Sequence, residues 1–157
     1  AQPRETLLLG RQPRGFGTLV HRGDAREEPR VLHDLVAQGR EPIRLHPDDA
    51  APRGISDGDI VRVHNDRGSL LAGAIVSDAL RPRVVQISTG AWYDPRDPAD
   101  VDAMCVHGNP NTITLDAGSS SLAQGSTGQH TLVEVERWEG ELPPITVLEP
   151  PAIDEGP

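Results

Sequence analysis

Residues 41–78 read E-P-I-R-L-H-P-D-D-A-A-P-R-G-I-S-D-G-D-I-V-R-V-H-N-D-R-G-S-L-L-A-G-A-I-V-S-D. Pro42 to Pro47 alternates apolar and polar side chains, the period of a strand with one buried face. Asp48 to Gly54 reads as a short helix closed by glycine, with Asp48 and Asp49 placed for capping and the helix dipole rather than for acid–base work. Ser56-Asp57-Gly58-Asp59 is a tight turn. Ile60 to His64 and Ser69 to Val76 are two strands, and Asn65-Asp66-Arg67-Gly68 between them is a hairpin turn.

Outward from this stretch the same short-strand rhythm continues. Thr6 to Gly10 is an apolar run ended by glycine, and Arg11 to Gly17 reads as a loop. Val84 to Ser88 and His130 to Val135 are further strands. Val31 to Gln38 carries apolar residues at helical spacing, with Gly39 as its stop. Six strands or so, short helices and no βαβ rhythm predict a small, mostly-β barrel.

Composition fits one such domain. The chain has 157 residues, of which 16 are Gly and 15 Pro, with a net charge of −9. That charge argues against nucleic acid and anionic membrane surfaces as partners, and no apolar run is long enough for a transmembrane helix. All 15 basic residues are arginine, whose forks suit phosphate or carboxylate where several converge. The single cysteine, Cys105, excludes an internal disulfide. The chain opens at Ala1 without methionine, and both a processed subunit and a piece of a longer chain fit that start.

Cys105 to Gln129, C-V-H-G-N-P-N-T-I-T-L-D-A-G-S-S-S-L-A-Q-G-S-T-G-Q, is polar yet nearly uncharged, with Asp116 its sole acidic residue. Asn and Gln carry both donor and acceptor and read the edges of heterocycles; Gly and Ser let backbone N–H groups approach phosphate. A binding surface for a polar heterocyclic or phosphorylated ligand and a plain Gly/Ser connector both fit this pattern. Other chemistry finds less support. Cys105 and His107 form no zinc spacing with a second pair. Ser119, Ser120 and Ser121 lie in no nucleophile elbow. Gly68-Ser69 and Gly118-Ser119 are too common as dipeptides to mark self-cleavage to a pyruvoyl group. No phosphate-binding P-loop is present. No residue is assigned as catalytic or metal-ligating.

Residues 41–78, G-A-W-Y-D-P (90–95), H-G-N-P-N-T-I-T-L-D-A-G-S-S-S-L-A-Q-G (107–125) and Q-H-T-L-V-E-V-E (129–136) together resemble the C-terminal molybdopterin-dinucleotide-binding domain of the dimethyl sulfoxide reductase family. Within that family the likeness is to the trimethylamine N-oxide and biotin sulfoxide reductases. It covers most of residues 41–148, with the motifs in the family's order.

The resemblance implies a double-psi β-barrel, aspartate-decarboxylase-like, over residues 1–148. Residues 21–30 would be a charged, exposed insert and residues 149–157 an extended Pro-rich tail. It implies a bis(molybdopterin guanine dinucleotide) molybdenum cofactor, held jointly with the remaining catalytic domains of an S- or N-oxide reductase working by oxygen-atom transfer. The metal's protein ligand in such enzymes is a serine of an earlier domain, so this chain would bind part of the cofactor and not turn over alone. The positions that match the family's contacts are Gly10, Arg11, Gln12 and Pro13 after the first strand, with Arg14 as the replacement for the family's missing arginine, Asn109 and Asn111 in the G-N-P-N motif, and Gly128 and Gln129 at the end of the polar stretch. Phe16, Gly17, Thr18 and Leu19 depart from the family's Arg, Leu, His and Ser. A non-enzymatic recognition module on the same barrel is the alternative, with the acidic loop at 94–102 and the proline-rich end as contact surfaces.

Overall fold

The computed structural model describes residues 6–12, 38–115, 117–122, 125 and 130–150, with 8–12 and His130 by backbone alone. Among the described residues six strands carry the fold: β1 (Leu7–Gln12), β2 (Pro42–Leu45), β3 (Ile60–Asn65), β4 (Gly68–Val76), β5 (Val84–Ser88) and β6 (His130–Arg137). They close into a barrel in the order β1-β5-β2-β4-β3-β6. Only β3 and β4 neighbour each other as a hairpin. β1 lies parallel to β5 and β2 parallel to β4, while every other pair is antiparallel. Two parallel pairs within a small closed sheet give the double-psi β-barrel.

Alternation explains the interior. In β5, Val85 and Ile87 point inward while Val84, Gln86 and Ser88 lie at intermediate depth; in β6, Thr131, Val133 and Val135 are buried between more exposed neighbours. Leu7, Ile43, Leu45, Val61, Val63, Leu70, Val85, Ile87 and Val133 form the centre of the core. Each such side chain contributes roughly 1.5–3 kcal/mol by leaving water. β4 differs, because residues 69–74 are buried without alternation. Its outer face is covered by the excursion between β5 and β6, as described below.

The sequence reading needs two adjustments. β1 runs on through Arg11 and Gln12, because its parallel ladder with β5 pairs Arg11 with Ile87 and Gln12 with Ser88; glycine at position 10 does not end it. The helix begins at Pro47 and has two parts, α1 (Pro47–Ala50) and a 3-10 turn over Ala51–Arg53. Its cap is His46, whose ring Nδ1 accepts from Asp48 N at 3.1 Å. Asp49 is buried, and its Oδ2 accepts from Arg83 N at 2.7 Å. That carboxylate secures the turn leading into β5, where Arg83 holds a left-handed φ of 68°. Residues 31–37 and the charged segment at 21–30 lie outside the described residues. Among the described residues, no helix is long and apolar enough to cross a membrane.

Candidate cofactor-binding site

The chain leaves β5 at Ser88 and returns over the barrel's outside. Gly90, at φ 105°, makes the first bend. Cys105 then bridges to Leu70 of β4 in parallel and to Pro95 in antiparallel fashion. Leu71 N donates to Cys105 O at 2.9 Å and Cys105 N to Ser69 O at 3.0 Å. The buried Ala103, Cys105 and Val106 thereby cover β4. Glu41 N donates to His107 O at 3.1 Å, fixing the far end of the excursion.

This anchoring delivers the Asn109–Thr112 turn. Asn109 is extended and caps the 3-10 turn at Pro110–Thr112: its Oδ1 accepts from Asn111 N at 2.9 Å. Pro110 at the first position costs no hydrogen bond, since that N–H would be unpaired anyway. Asn109 N donates to Cys105 Sγ at 3.4 Å, and Thr112 Oγ1 donates to Asn109 O at 3.0 Å. With its oxygen used in the cap, half-buried Asn109 keeps Nδ2 as a donor that meets no acceptor among the described residues. Asn111 is exposed. Both asparagines line an open cleft of about 510 Å³, together with Tyr93, Val101, Thr112 and Arg67.

The barrel register sets the rest of the constellation. Gly10 pairs with His130, and Leu9 with Thr131. Thr131 Oγ1 donates to Ile113 O at 3.3 Å. The C-terminal end of β1, the N-terminal end of β6 and the residues after the Asn turn therefore meet at one end of the barrel, beside Ser88 of β5. Of the residues matched to family contacts, Gly10, Arg11 and Gln12 lie on β1 at this end and Asn109 and Asn111 line the adjacent cleft. Pro13, Arg14, Gly128 and Gln129 lie outside the described residues; their chain neighbours Gln12 and His130 are at the same barrel end.

Asn65 was not singled out by sequence reasoning, which saw only a hairpin turn. Its Nδ2 donates to Ile113 O at 2.8 Å and to Leu132 O at 3.1 Å, and its Oδ1 accepts from Arg67 N at 2.9 Å. One side chain thus staples the β3–β4 turn to both segments of the site. Nothing local in N-D-R-G distinguishes such an Asn from an ordinary turn former.

Of the polar stretch beyond Ile113, residues 115, 117–122 and 125 are exposed. Ser119 N donates to Gly125 O at 2.9 Å. Tyr93 titrates above the ordinary tyrosine value of 10.0, first through desolvation and then through Coulombic interaction with Cys105, Asp100 and Asp102. Its phenol is therefore neutral, a hydrogen-bonding ring at the cleft. Cys105 Sγ lies 3.9 Å from Trp92 O, and His107 Nδ1 lies 3.3 Å from the same carbonyl. Among the described residues no group of three or more His, Cys, Asp or Glu side chains could hold a metal ion.

The donor set is chemically suited to a dinucleotide. Among the described residues the cleft offers the Asn109 and Asn111 amides, the Tyr93 and Thr112 hydroxyls and the Arg67 guanidinium, with the Asp102 carboxylate beside them; amides and hydroxyls suit heterocycle edges and a guanidinium suits phosphate. Comparison with known proteins gives this set its family. The profile of the family described as "Molydopterin dinucleotide binding domain" matches residues 17–132. The chain belongs to this family. Its cofactor is a molybdopterin guanine dinucleotide. The chain is 51% identical over 126 residues to a trimethylamine-N-oxide reductase of Salmonella typhi, a match covering 80% of the chain and 15% of that relative. It is 49% identical over 121 residues to a dimethyl sulfoxide/trimethylamine N-oxide reductase of Cereibacter sphaeroides, covering 76% and 15%. The chain thus spans about 15% of the length of these curated relatives and corresponds to one domain of a larger molybdoenzyme. In structure it is similar to acetylene hydratase from Pelobacter acetylenicus, with a TM-score of 0.55 and 19% identity over 84% of this chain and 18% of that one. That likeness speaks to the fold.

Proposed function

We propose that this chain is the C-terminal domain or subunit of a molybdenum enzyme that reduces S- or N-oxides, and that it holds part of a bis(molybdopterin guanine dinucleotide) cofactor. The observation that carries the reading is the convergence of the β1 end, the Asn109–Ile113 turn and the β6 start at one end of the barrel. We take residues 1–148 as the binding unit, with 21–30 an exposed insert and 149–157 a tail. Pro13, Arg14, Gly128 and Gln129 complete the contact set with Gly10, Arg11, Gln12, Asn109 and Asn111.

When bound, the molybdenum centre supplies oxygen-atom transfer. This chain's residues do other work: Asn109 Nδ2 donates to an acceptor on the ligand, Asn111 presents its amide at the cleft, and the turn capped by Asn109 fixes the spacing between them. The partners are the remaining catalytic domains, with neither nucleic acid nor membrane involved.

Calorimetric titration of the chain with guanosine diphosphate and with isolated molybdopterin guanine dinucleotide tests the reading. Saturable binding, weakened about tenfold by Asn109→Ala, is expected for the loss of one well-placed hydrogen bond to a charged or strongly polar partner. Absence of binding by either ligand, together with stoichiometric capture of a protein partner, would instead establish the recognition module.

A further inference from the structure

We infer that Arg67 is a binding residue for the diphosphate of the dinucleotide, a role that rests on the function proposed above. The evidence is how the β3–β4 turn is pinned. Asn65 Nδ2 donates to Ile113 O at 2.8 Å, and its Oδ1 holds Arg67 N at 2.9 Å. Gly68 lies so close to the Asn turn that a Cβ on it would come within 2.6 Å of Thr112 O. The backbone on both sides of Arg67 is therefore locked against the 109–113 motif, one point at Ile113 and one at Thr112.

This placement brings a guanidinium to the Asn109–Asn111 cleft, where Arg67 is the one cationic lining residue among the described residues. Arg67 is exposed, and no described residue accepts from its side chain. Other arginines of the barrel are engaged: Arg62 with Glu136 at 3.3 Å, Arg137 with Asp59 at 3.4 Å, and Arg40 with Pro143 O at 2.6 Å. The cleft also holds the Asp102 carboxylate, beside the two amides and the neutral phenol; a planar fork held at its backbone is the one group there that can pair with a diphosphate's charge, and it suits a diphosphate better than a heterocycle edge. The amides then serve the ring portion and Arg67 the charged bridge, two roles that separate experimentally.

The test is calorimetric titration of the full chain with guanosine diphosphate, guanosine and inorganic pyrophosphate at two salt concentrations, for the native chain, Arg67→Ala and Arg67→Lys. The native chain is expected to bind guanosine diphosphate more tightly than guanosine, with an affinity that falls as salt rises. Arg67→Ala is expected to weaken guanosine diphosphate and pyrophosphate about tenfold or more, flatten the salt dependence and leave guanosine unchanged. Arg67→Lys should recover part of the loss, because charge returns without the fork. Unaltered diphosphate binding in Arg67→Ala overturns the inference alone. So does an equal loss of guanosine and guanosine diphosphate, which would mark a structural role. A native chain that binds none of these probes overturns the inference, and one that also fails to bind isolated molybdopterin guanine dinucleotide overturns the cofactor reading beneath it.

Discussion

The carboxylate of Asp94 is the acceptor that ties Thr146 to the barrel. Its Oδ2 accepts from Thr146 N at 2.7 Å and Val147 N at 3.0 Å, and its Oδ1 from Thr146 Oγ1 at 2.9 Å. Asp94 is only 3% exposed. Beside it, buried Arg40 donates through Nη2 to Pro143 O at 2.6 Å and through Nη1 to Gln38 O at 3.4 Å. Burial lowers the Arg40 guanidinium's pKa, and the Asp94 charge opposes that shift. The two residues strap the proline-rich segment after β6 to the excursion that carries the site. Asp94→Ala should lower stability by about 3 kcal/mol, since charged hydrogen bonds contribute more than neutral ones and a buried cation loses its counter-charge. Thr146→Ala, which removes one bond only, should cost about 1 kcal/mol. Urea denaturation of both variants checks the ratio.

This strap shows where sequence reading stops. The hairpin at residues 60–76 was legible because Asn-Asp-Arg-Gly sits between two apolar strands, and β5 because Val84 to Ser88 is bounded by turn residues. Those signals are local. The parallel pairings of β1 with β5 and β2 with β4 join segments far apart in sequence, and no short-range pattern encodes them. The family's motif order supplied the double-psi barrel instead. In the site, Asn109 and Asn111 were named by the likeness of G-N-P-N to the family's motif, while the nearly uncharged polar stretch around them pointed no further than a polar ligand or a plain connector. Asn65 and Arg67 were not, since their value comes from contacts with Ile113 and the cleft that only the closed barrel creates. Asp94 looked like one more acid in an acidic loop until its burial was seen.

Asn65→Asp should convert the staple into a pH-sensitive one. The native amide donates to Ile113 O and Leu132 O. A carboxylate there would face two carbonyl oxygens, so the fold would favour its protonated form and raise its pKa above the usual ~3.9. A group with a raised folded-state pKa contributes its stability fully below the unfolded value and loses it as pH rises through the folded value. The variant should therefore lie within about 1 kcal/mol of the native chain near pH 4 and fall about 2–3 kcal/mol below it at neutral pH, for two lost bonds and a repulsion. Equal deficits at both pH values would refute the arrangement. Denaturation curves at the two pH values, each against native chain, give the answer.

Tyr93 is the chain's single tyrosine, so absorbance at alkaline pH reports this phenol alone. Its pKa is raised above 10.0 by desolvation and by Cys105, Asp100 and Asp102, in that order. The titration midpoint should lie above the ordinary value, and Asp100→Asn with Asp102→Asn should bring it down. The neutral phenol is the form the fold favours. Its contribution is complete below the ordinary value and lost only as pH rises through the raised one, so ligand binding near neutrality should show no Tyr93 step. A midpoint at or below 10.0 would mean that the acidic loop does not lie against the ring.

Gly108 and Gly58 share a backbone conformation but not a neighbourhood, and the pair separates strain from crowding. Gly108 has φ 97° and Gly58 φ 86°, a region that disfavours any Cβ. A Cβ at Gly58 would meet nothing within 4 Å, whereas at Gly108 it would lie 2.7 Å from Glu41 Cβ and 3.1 Å from Glu41 N. Gly58→Ala should cost only conformational strain, about 1–2 kcal/mol. Gly108→Ala adds overpacking of about 1–3 kcal/mol, because the obstacles are backbone and Cβ atoms that no side-chain rotation can clear. It also breaks the approach of His107 O to Glu41 N, which sets the position of Asn109 next in the chain. Gly108→Ala should thus lose more stability than Gly58→Ala and weaken nucleotide binding several-fold, while Gly58→Ala leaves affinity unchanged. Equal effects of the two substitutions on both stability and affinity would mean that the turn before Asn109 is not held by its contact with Glu41.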